Sequence, residues 1–166
     1  MGERLTQSDV DKITEEIEHR KLVTRPECIA AVKEARSHGD LSENYEYYAA
    51  RQAHRQNESR IAYLDRMLRF AEIIKDEVAE DEAGLNKRVK IYFEEDDEYE
   101  TYKIVTSIRG DSMRGLISPE SPLGSALMGH KVGDRVEVKV GGGSYFVKIT
   151  EIENVGEEET DTLKKF

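Results

Sequence analysis

The sequence contains no tryptophan and a single cysteine, Cys28. One cysteine excludes a disulfide within the chain and is typical of a reducing compartment, so we expect a cytoplasmic location. Cys28 lies in an apolar helical stretch, which predicts a small buried hydrophobic side chain rather than a reactive thiol. No apolar run approaches the roughly 20 residues that a membrane span needs, so we expect no membrane partner.

Apolar side chains are also scarce, at 37% of residues against 36% that are charged. That fraction is low for one compact globule and is typical of an exposed helical element attached to a modest core. The net charge of -10 argues against binding nucleic acid by neutralising phosphates, because that requires a clustered positive face. The composition therefore favours a protein as the main partner.

Two long helices are predicted between about Ser8 and Ile74. The apolar residues of the first, at helical spacing, are Val10, Ile13, Ile17, Ile29 and Val32. Pro26 should kink or interrupt this helix, and Gly39 supplies the turn that ends it. Because the turn is tight, the second helix must run antiparallel to the first, and the two form a hairpin.

The second helix, beginning at Asp40 or shortly after, has a heptad seam that makes the hairpin a coiled coil. The seam consists of Tyr47, Ala50, His54, Asn57, Ile61, Leu64, Leu68 and Ala71. Its second half is apolar, whereas the half nearest the turn is small, aromatic or polar. Arms of about 30 residues would extend roughly 45 Å. Stability alone does not favour a long helix pair with so little to bury at its tip, so we infer that the function requires the length.

The acidic segment 76–86 predicts a domain boundary, because the hydrophobic period changes from helical to two beyond it. Short strands follow, and the last two are joined by glycines at 141–143, a hairpin signal. A short helix between them has Ser121 as its N-cap, Pro122 at its first position and Gly129 after its end.

These patterns predict an α+β protein in two domains. Residues 1–76 form the antiparallel coiled-coil hairpin with an acidic tip. Residues 84–155 form a small antiparallel β-sheet with one short helix. The polar tail, residues 156–166, is expected to be disordered.

The stretch HGDLSENYEYYAAR holds two carboxylates, Asp40 and Glu43, behind Gly39. In one interpretation they form a capping box, with Asp40 as N-cap and Glu43 reaching back from the third helical position. In the other they are acids held at the tip for chemistry, and the two interpretations are compatible. Mg²⁺ demands an octahedral oxygen shell, so this pair would bind it only weakly unless a partner protein supplies further ligands. The sequence has no phosphate-binding loop, nucleophile elbow or His/Cys metal spacing.

A family resemblance follows from three stretches of the sequence. RPECIAAVKEARSHGDLSENYEYYAAR, residues 25–51, resembles the hairpin tip of the GreA/GreB family of bacterial transcript-cleavage factors, where the motif G-D-L-x-E-N-x-E-Y forms the tip. The similarity continues in RIAYLDRMLRFAEII of the second helix and in LISPESPLGSALMGHKVGDRVEVKVGGG of the second domain. It covers nearly the whole chain.

The resemblance implies an FKBP-like C-terminal domain that docks on bacterial RNA polymerase and a coiled coil that enters the polymerase secondary channel. The tip acids, here Asp40 and Glu43, would help hold an Mg²⁺ of the polymerase active site and position a water. The polymerase would then hydrolyse the backtracked nascent RNA near its 3′ end. Arg51 and Arg55 would face the RNA or the channel wall. The resemblance implies no cofactor of the protein's own and no enzymatic activity without polymerase, and we expect a monomer.

Two other functions stay open. The same fold could belong to a non-cleaving regulator of the secondary channel, although Asp40 and Glu43 argue against it. An FKBP-like domain also suggests a prolyl isomerase or chaperone, but the Tyr and Phe residues of this region are better explained as sheet core. Three features depart from the family pattern: Tyr45, where a small residue is common, the acidic loop around Asp96, and the tail after Gly156.

Overall fold

The computed structural model describes residues 2–39, 43–75, 78–158 and 161–165. The chain forms two compact units, one built on residues 7–72 and the other on residues 73–165. The first unit is helical and the second is a β-sheet with one helix, so the predicted α+β class is confirmed. The domain limits drawn from the sequence stay a prediction. No helix in the described part of the chain is long and apolar enough to cross a membrane.

The first unit is a hairpin of two helical arms. The first arm consists of α1 (Gln7–His19), a π-helical turn (Arg20–Thr24) and α2 (Arg25–Arg36), and the second arm is α3 (Tyr45–Arg69). The buried residues of α3 are Tyr47, Asn57, Arg60, Ile61, Leu64 and Met67. Four of these lie on the predicted seam, which confirms its position. With 25 residues, α3 is about 38 Å long. It is shorter than predicted because it begins at Tyr45 and not near Asp40.

The π-helical turn changes which face of α2 is buried. Its closing hydrogen bond runs from the Arg25 N–H to the Arg20 carbonyl, five residues back, so this turn holds one residue more than an α-helical turn. A heptad continued from Ile17 would bury positions 27, 31 and 34. The inward-facing residues of α2 are instead Cys28, Val32 and Ala35. The extra residue has rotated α2 by about 100°.

This rotation corrects two expectations from the sequence. Ile29, predicted on the buried face, is 53% exposed, and Cys28 is half-buried rather than fully enclosed. The predicted interruption at Pro26 is confirmed, since the π-helical turn directly precedes it. In an α-helix the proline ring would clash with the carbonyl four residues back, and a wider turn relieves that clash.

A small two-stranded sheet pairs β1 (Arg4–Leu5) with β2 (Glu72–Ile73). The five-stranded sheet of the second unit consists of β3 (Lys87–Phe93), β4 (Glu98–Ile104), β5 (Leu116–Ile117), β6 (Arg135–Val140) and β7 (Gly143–Asn154). Its strands lie in the order β5-β4-β3-β7-β6. β4 and β5 run parallel, so the prediction of a wholly antiparallel sheet is wrong at this edge. A parallel pair requires a crossover, and two 3₁₀ turns, Ser107–Arg109 and Ser112–Arg114, lie within it.

One short helix, α4 (Pro122–Leu127), packs on the sheet. Ser121 Oγ accepts a hydrogen bond from the Gly124 N–H at 3.1 Å, which confirms Ser121 as the N-cap. A Cβ atom at Gly124 would lie 1.9 Å from the Ser118 carbonyl oxygen, so only glycine fits there. Beneath α4 the core residues include Val89, Ile91, Ile104, Leu127, Val136, Val138, Val147 and Ile149.

The C-terminal tail also departs from the expectation of disorder, because several of its described residues bond to the sheet unit. Asp161 is 3% exposed and forms an ion pair with Lys103 of β4. The Asp161 carbonyl also accepts a hydrogen bond from Arg109 Nη1 at 2.7 Å. Lys103 and Arg109 are both buried, and a buried cation needs a paired anion or acceptor. The polar tail supplies these partners, which its composition alone does not reveal.

Candidate functional site at the hairpin tip

Asn44 joins the two arms where the chain turns. Its Oδ1 accepts a hydrogen bond from the Tyr47 N–H at 3.1 Å, which makes it the N-cap of α3. Its Nδ2 donates to the Ala35 carbonyl, in the last turn of α2, at 2.6 Å. One amide therefore satisfies a donor at the start of α3 and an acceptor at the end of α2, two groups that a helix leaves without internal partners.

The capping-box interpretation of the two acids is wrong in this structure. Asn44 is the N-cap, so Glu43 precedes α3 and cannot be its third residue. Glu43 is exposed and is bonded through the backbone to a residue fixed by both arms. Asp40, the other predicted site residue, lies outside the described residues. The structure thus leaves Glu43 without a role in starting the helix.

His38 forms a second link between the arms beside the turn. Its ring nitrogens lie 3.3 Å from a carboxylate oxygen of Glu34 in α2 and 2.9 Å from one of Glu46 in α3. Hydrogen bonds to Glu46 and then Glu34 raise the pKa of the imidazole above its usual value. The protonated ring donates to both carboxylates, so this link is strongest when His38 is charged.

Arginines surround the first buried aromatic of α3. Tyr47 is 8% exposed, and the Arg36 guanidinium carbon lies 5.7 Å from the centre of its ring. A hydrogen bond from Arg36 and the charge of Arg51 lower the pKa of the Tyr47 hydroxyl. Arg51 and Arg55 are both exposed, one helical turn apart on α3. The tip therefore presents cations behind its carboxylates, and the RNA or channel contact of Arg51 and Arg55 stays a prediction.

The described residues do not suit a self-contained metal site. Among residues 2–39, 43–75, 78–158 and 161–165, no group of three or more His, Cys, Asp or Glu side chains could hold a metal ion. A carboxylate such as Glu43 is a suitable oxygen donor for Mg²⁺, but this cation takes about six ligands and gives up its waters reluctantly. The metal role of Asp40 and Glu43 within a partner's site stays a prediction.

A half-buried polar network lies further along the hairpin, and the sequence did not indicate it. Glu16 of α1 receives two hydrogen bonds from Arg60 of α3, at 2.7 and 3.1 Å, and one from Arg20 at 2.7 Å. Burial raises the pKa of Glu16, but the bonds from Arg60 and Arg20 outweigh it and the net pKa is lowered. The sequence feature that could have indicated such a network is Asn57, a polar residue on the predicted seam, because polar seam residues often fix the register of a coiled coil.

The sheet unit has a shallow cleft lined by Phe93, Glu95, Asp96, Tyr145 and Phe146. The rings of Phe93 and Tyr145 stack at 5.9 Å, and Phe93 also contacts the core. The cleft volume of about 160 Å³ is below the about 300 Å³ at which small-molecule pockets begin. These aromatics are therefore better explained as the edge of the core than as an isomerase pocket.

A long helical hairpin with an exposed acid at its turn, carried on a chain with a separate sheet unit, has the architecture of a class of transcription elongation factors. Residues 3–73 match the family model described as transcription elongation factor, N-terminal. Residues 78–154 match the model described as transcription elongation factor, GreA/GreB, C-term. The chain belongs to the GreA/GreB family of transcription elongation factors.

Individual relatives agree with this assignment. The chain is 44% identical over 150 residues to transcription elongation factor GreA of Streptococcus pneumoniae, covering 90% of this chain and 94% of that protein. The identity to GreA of Streptococcus gordonii is 45% over the same lengths. These identities show that the chain is of the GreA type.

Solved structures give weaker matches. A structure of the transcription factor Gfh1 is 23% identical, with a TM-score of 0.46 over 92% of this chain and 97% of that one. A GreA/GreB elongation factor from Nitrosomonas europaea is 30% identical, with a TM-score of 0.39 over 56% of this chain and 78% of that one. The family assignment rests on the sequence matches. As a transcription elongation factor, the protein has RNA polymerase as its partner.

Proposed function

We propose that this factor rescues backtracked bacterial RNA polymerase by stimulating the polymerase's own RNA cleavage, through Asp40 and Glu43 inserted in the secondary channel. The observation that carries the proposal is the position of Glu43. This acid is exposed beside the turn of a hairpin about 38 Å long, and Asn44, not Glu43, starts the helix. An exposed acid that is not the helix cap, at the turn of a long hairpin, suits chemistry inside another protein.

The metal requirement supports a shared site. Asp40 and Glu43 offer too few oxygens to hold Mg²⁺ alone, so the polymerase carboxylates and the RNA phosphate supply the other ligands. When bound in such a site, Mg²⁺ would lower the pKa of a bound water and stabilise charge on phosphate oxygens. The chain's own contribution is to bring two carboxylates to that site and to orient them. The protein is therefore not an enzyme alone and needs no cofactor of its own.

The remaining parts of the chain bind the polymerase and the RNA. Arg51 and Arg55, exposed on α3, contact the RNA or the channel wall, where a cation offsets phosphate or carboxylate charge. The sheet unit docks on the polymerase outside the channel, and the factor works as a monomer on a cytoplasmic elongation complex. A fragment of residues 78–166 should compete with the full chain for polymerase without stimulating cleavage. Absence of competition would assign docking to the hairpin.

The central experiment is cleavage in a halted, backtracked complex of bacterial RNA polymerase with 3′-labelled RNA. The wild-type protein should release the labelled 3′ fragment, whereas Asp40→Ala and Glu43→Ala should lower the rate about 100-fold or more. Both variants should still bind polymerase, and Glu27→Ala, which removes an exposed acid of α2, is the matched control. Wild-type cleavage by both tip variants would exclude the acids, and no cleavage by wild type would identify a non-cleaving channel regulator.

RNA and Mg²⁺ without polymerase provide the second control. The free protein should leave this RNA intact, and calorimetry should detect little Mg²⁺ binding at millimolar metal. Robust hydrolysis by the free protein would contradict the shared site and indicate a complete active site within the chain.

A further inference from the structure

Helix capping alone does not explain why residue 44 is an asparagine. An N-cap needs only a side-chain acceptor, and Ser, Thr or Asp supplies one as well as Asn does. The second half of the Asn44 amide is engaged as well, because Nδ2 donates to the Ala35 carbonyl at 2.6 Å. That carbonyl also accepts from the His38 N–H at 3.1 Å, so both of its lone pairs are used. The amide is thus a two-ended brace between the arms.

We propose that Asn44 is a positioning residue for Glu43, fixing the backbone that carries the Glu43 carboxylate relative to both arms of the hairpin. This inference rests on the proposed function. Consecutive Cα atoms are about 3.8 Å apart, so the backbone of Glu43 cannot shift far while Asn44 is held at both ends. The side chain of Glu43 is exposed, and the backbone next to it is what the structure fixes.

Three observations show that this brace is anchored in the packed part of the hairpin. The Asn44 carbonyl accepts the first helical hydrogen bond, from the Tyr48 N–H at 3.3 Å, so the residue is anchored through backbone and side chain. Tyr47, whose N–H the amide caps, is buried. Ala35, whose carbonyl the amide holds, is 4% exposed and lies on the seam of α2. Both ends of the brace are therefore tied to the packed interior of the hairpin.

The brace matters because a catalytic carboxylate must be oriented before the metal and water arrive. An error of about 1 Å in a catalytic group can cost on the order of 100-fold in rate. Groups that orient a metal-binding carboxylate are worth about 10- to 100-fold in metal affinity or activity. In a hairpin joined by a short turn, the relative position of the arms decides where the acids stand, and Asn44 bonds to both arms.

The test distinguishes the hydrogen bond that Asn44 accepts from Tyr47 from the one that it donates to Ala35. Asn44→Ser keeps an oxygen that can accept from Tyr47 but removes the amide nitrogen that donates to the Ala35 carbonyl, and the shorter hydroxyl side chain adds no charge. Asn44→Asp also keeps the cap, but it sets a carboxylate oxygen against the Ala35 carbonyl. Asn44→Ala removes both ends. Gln52→Glu, an exposed position of α3, controls for the charge added by Asn44→Asp.

At saturating factor we expect Asn44→Ser and Asn44→Asp to lower the cleavage rate about 10- to 100-fold and to raise the Mg²⁺ concentration that gives half-maximal cleavage. Competition for polymerase should be unchanged, and the Tyr47 amide should keep its protection from hydrogen exchange because the cap remains. Asn44→Ala should lose this protection as well. Gln52→Glu should behave as wild type.

Two results would overturn the inference. Cleavage by Asn44→Ser and Asn44→Asp at the wild-type rate and Mg²⁺ dependence would reduce Asn44 to a cap. Loss of cleavage in proportion to polymerase binding, with unchanged Mg²⁺ dependence, would make its role structural. Failure of the proposed function is a different result, because Glu43→Ala would then cleave at the wild-type rate whatever the Asn44 variants do.

Discussion

Asn57 of α3 binds Arg20 of the π-helical turn through both ends of its amide. Its Oδ1 accepts from Arg20 Nη1 at 3.0 Å, and its Nδ2 donates to the Arg20 carbonyl at 3.2 Å. Asn57 is only 3% exposed. It therefore resembles the buried Asn that fixes register in coiled coils at a cost in stability. In this hairpin it binds the first residue of the π-helical turn, the turn that contains the extra residue.

Replacing Asn57 by Ala should lower the free energy of unfolding of the hairpin by about 1–3 kcal/mol, because the polar groups of Arg20 lose a buried partner. Denaturant unfolding followed by helical circular dichroism measures this loss. Gln56→Ala, at the exposed neighbouring position, should change stability by less than about 0.5 kcal/mol. Equal effects of the two substitutions would show that the Asn57 bonds contribute nothing.

The π-helical turn predicts where the first arm tolerates a deletion. Removing Leu22, which is 75% exposed, should let the turn become α-helical while Cys28, Val32 and Ala35 keep facing α3. The background should carry Pro26→Ala, because proline within a continuous α-helix costs about 3 kcal/mol.

In the same background, deletion of the exposed Ala30 should rotate the end of α2 and turn Lys33 and Arg36 towards the seam. We expect the Leu22 deletion to keep the parental melting temperature and the Ala30 deletion to lower stability by about 2 kcal/mol or more. Equal melting temperatures would contradict the one-residue shift.

Removing the negative charge of Asp161, in the C-terminal tail, should lower the free energy of unfolding of the sheet unit. The Lys103 side chain is 4% exposed and that of Asp161 is 2% exposed, so Asp161→Asn leaves a buried cation with less compensation. Glu158, 3.2 Å from Lys103, compensates in part, and we expect a loss of about 3 kcal/mol.

Glu153→Gln is the matched control, because its bridge to Arg88 is 3.9 Å long and the Glu153 side chain is 70% exposed. It should cost less than about 0.5 kcal/mol. Thermal unfolding of the two variants is the comparison, and an Asp161→Asn protein as stable as Glu153→Gln would show that the tail does not support the sheet.

The His38 link predicts a pH dependence at the tip. Its pKa in the folded protein is raised, first by Glu46 and then by Glu34. Its contribution is therefore fully present below the usual imidazole pKa of about 6.5 and is lost as pH rises through the higher folded value. A nuclear magnetic resonance titration of the His38 ring should give a pKa above that of an unfolded control. Glu46→Gln should bring it down, and an unchanged pKa in that variant would exclude the link.

The sequence by itself determined the two-domain α+β plan, because each part depends on local periodicity. The seam from Tyr47 to Leu64 and the capped helix after Ser121 follow from spacing and from N-cap chemistry, which act within a few residues. The tip motif and the family assignment are likewise local patterns, since they require particular residues at short intervals.

Only the tertiary structure decided the details that depend on contacts between distant segments. The apolar positions of α2 come one residue later than the heptad of α1 predicts, so both helices can face α3 only if the chain accommodates one extra residue between them. This requirement comes from packing against α3 and not from local helix propensity. The parallel edge of the sheet and the burial of Asp161 depend on partners 13 and 58 residues away in the chain. At the tip, the sequence offered Asp40 and Glu43 as the helix start. The packing of α2 against α3 gave that task to Asn44, because its amide bonds to both arms at once.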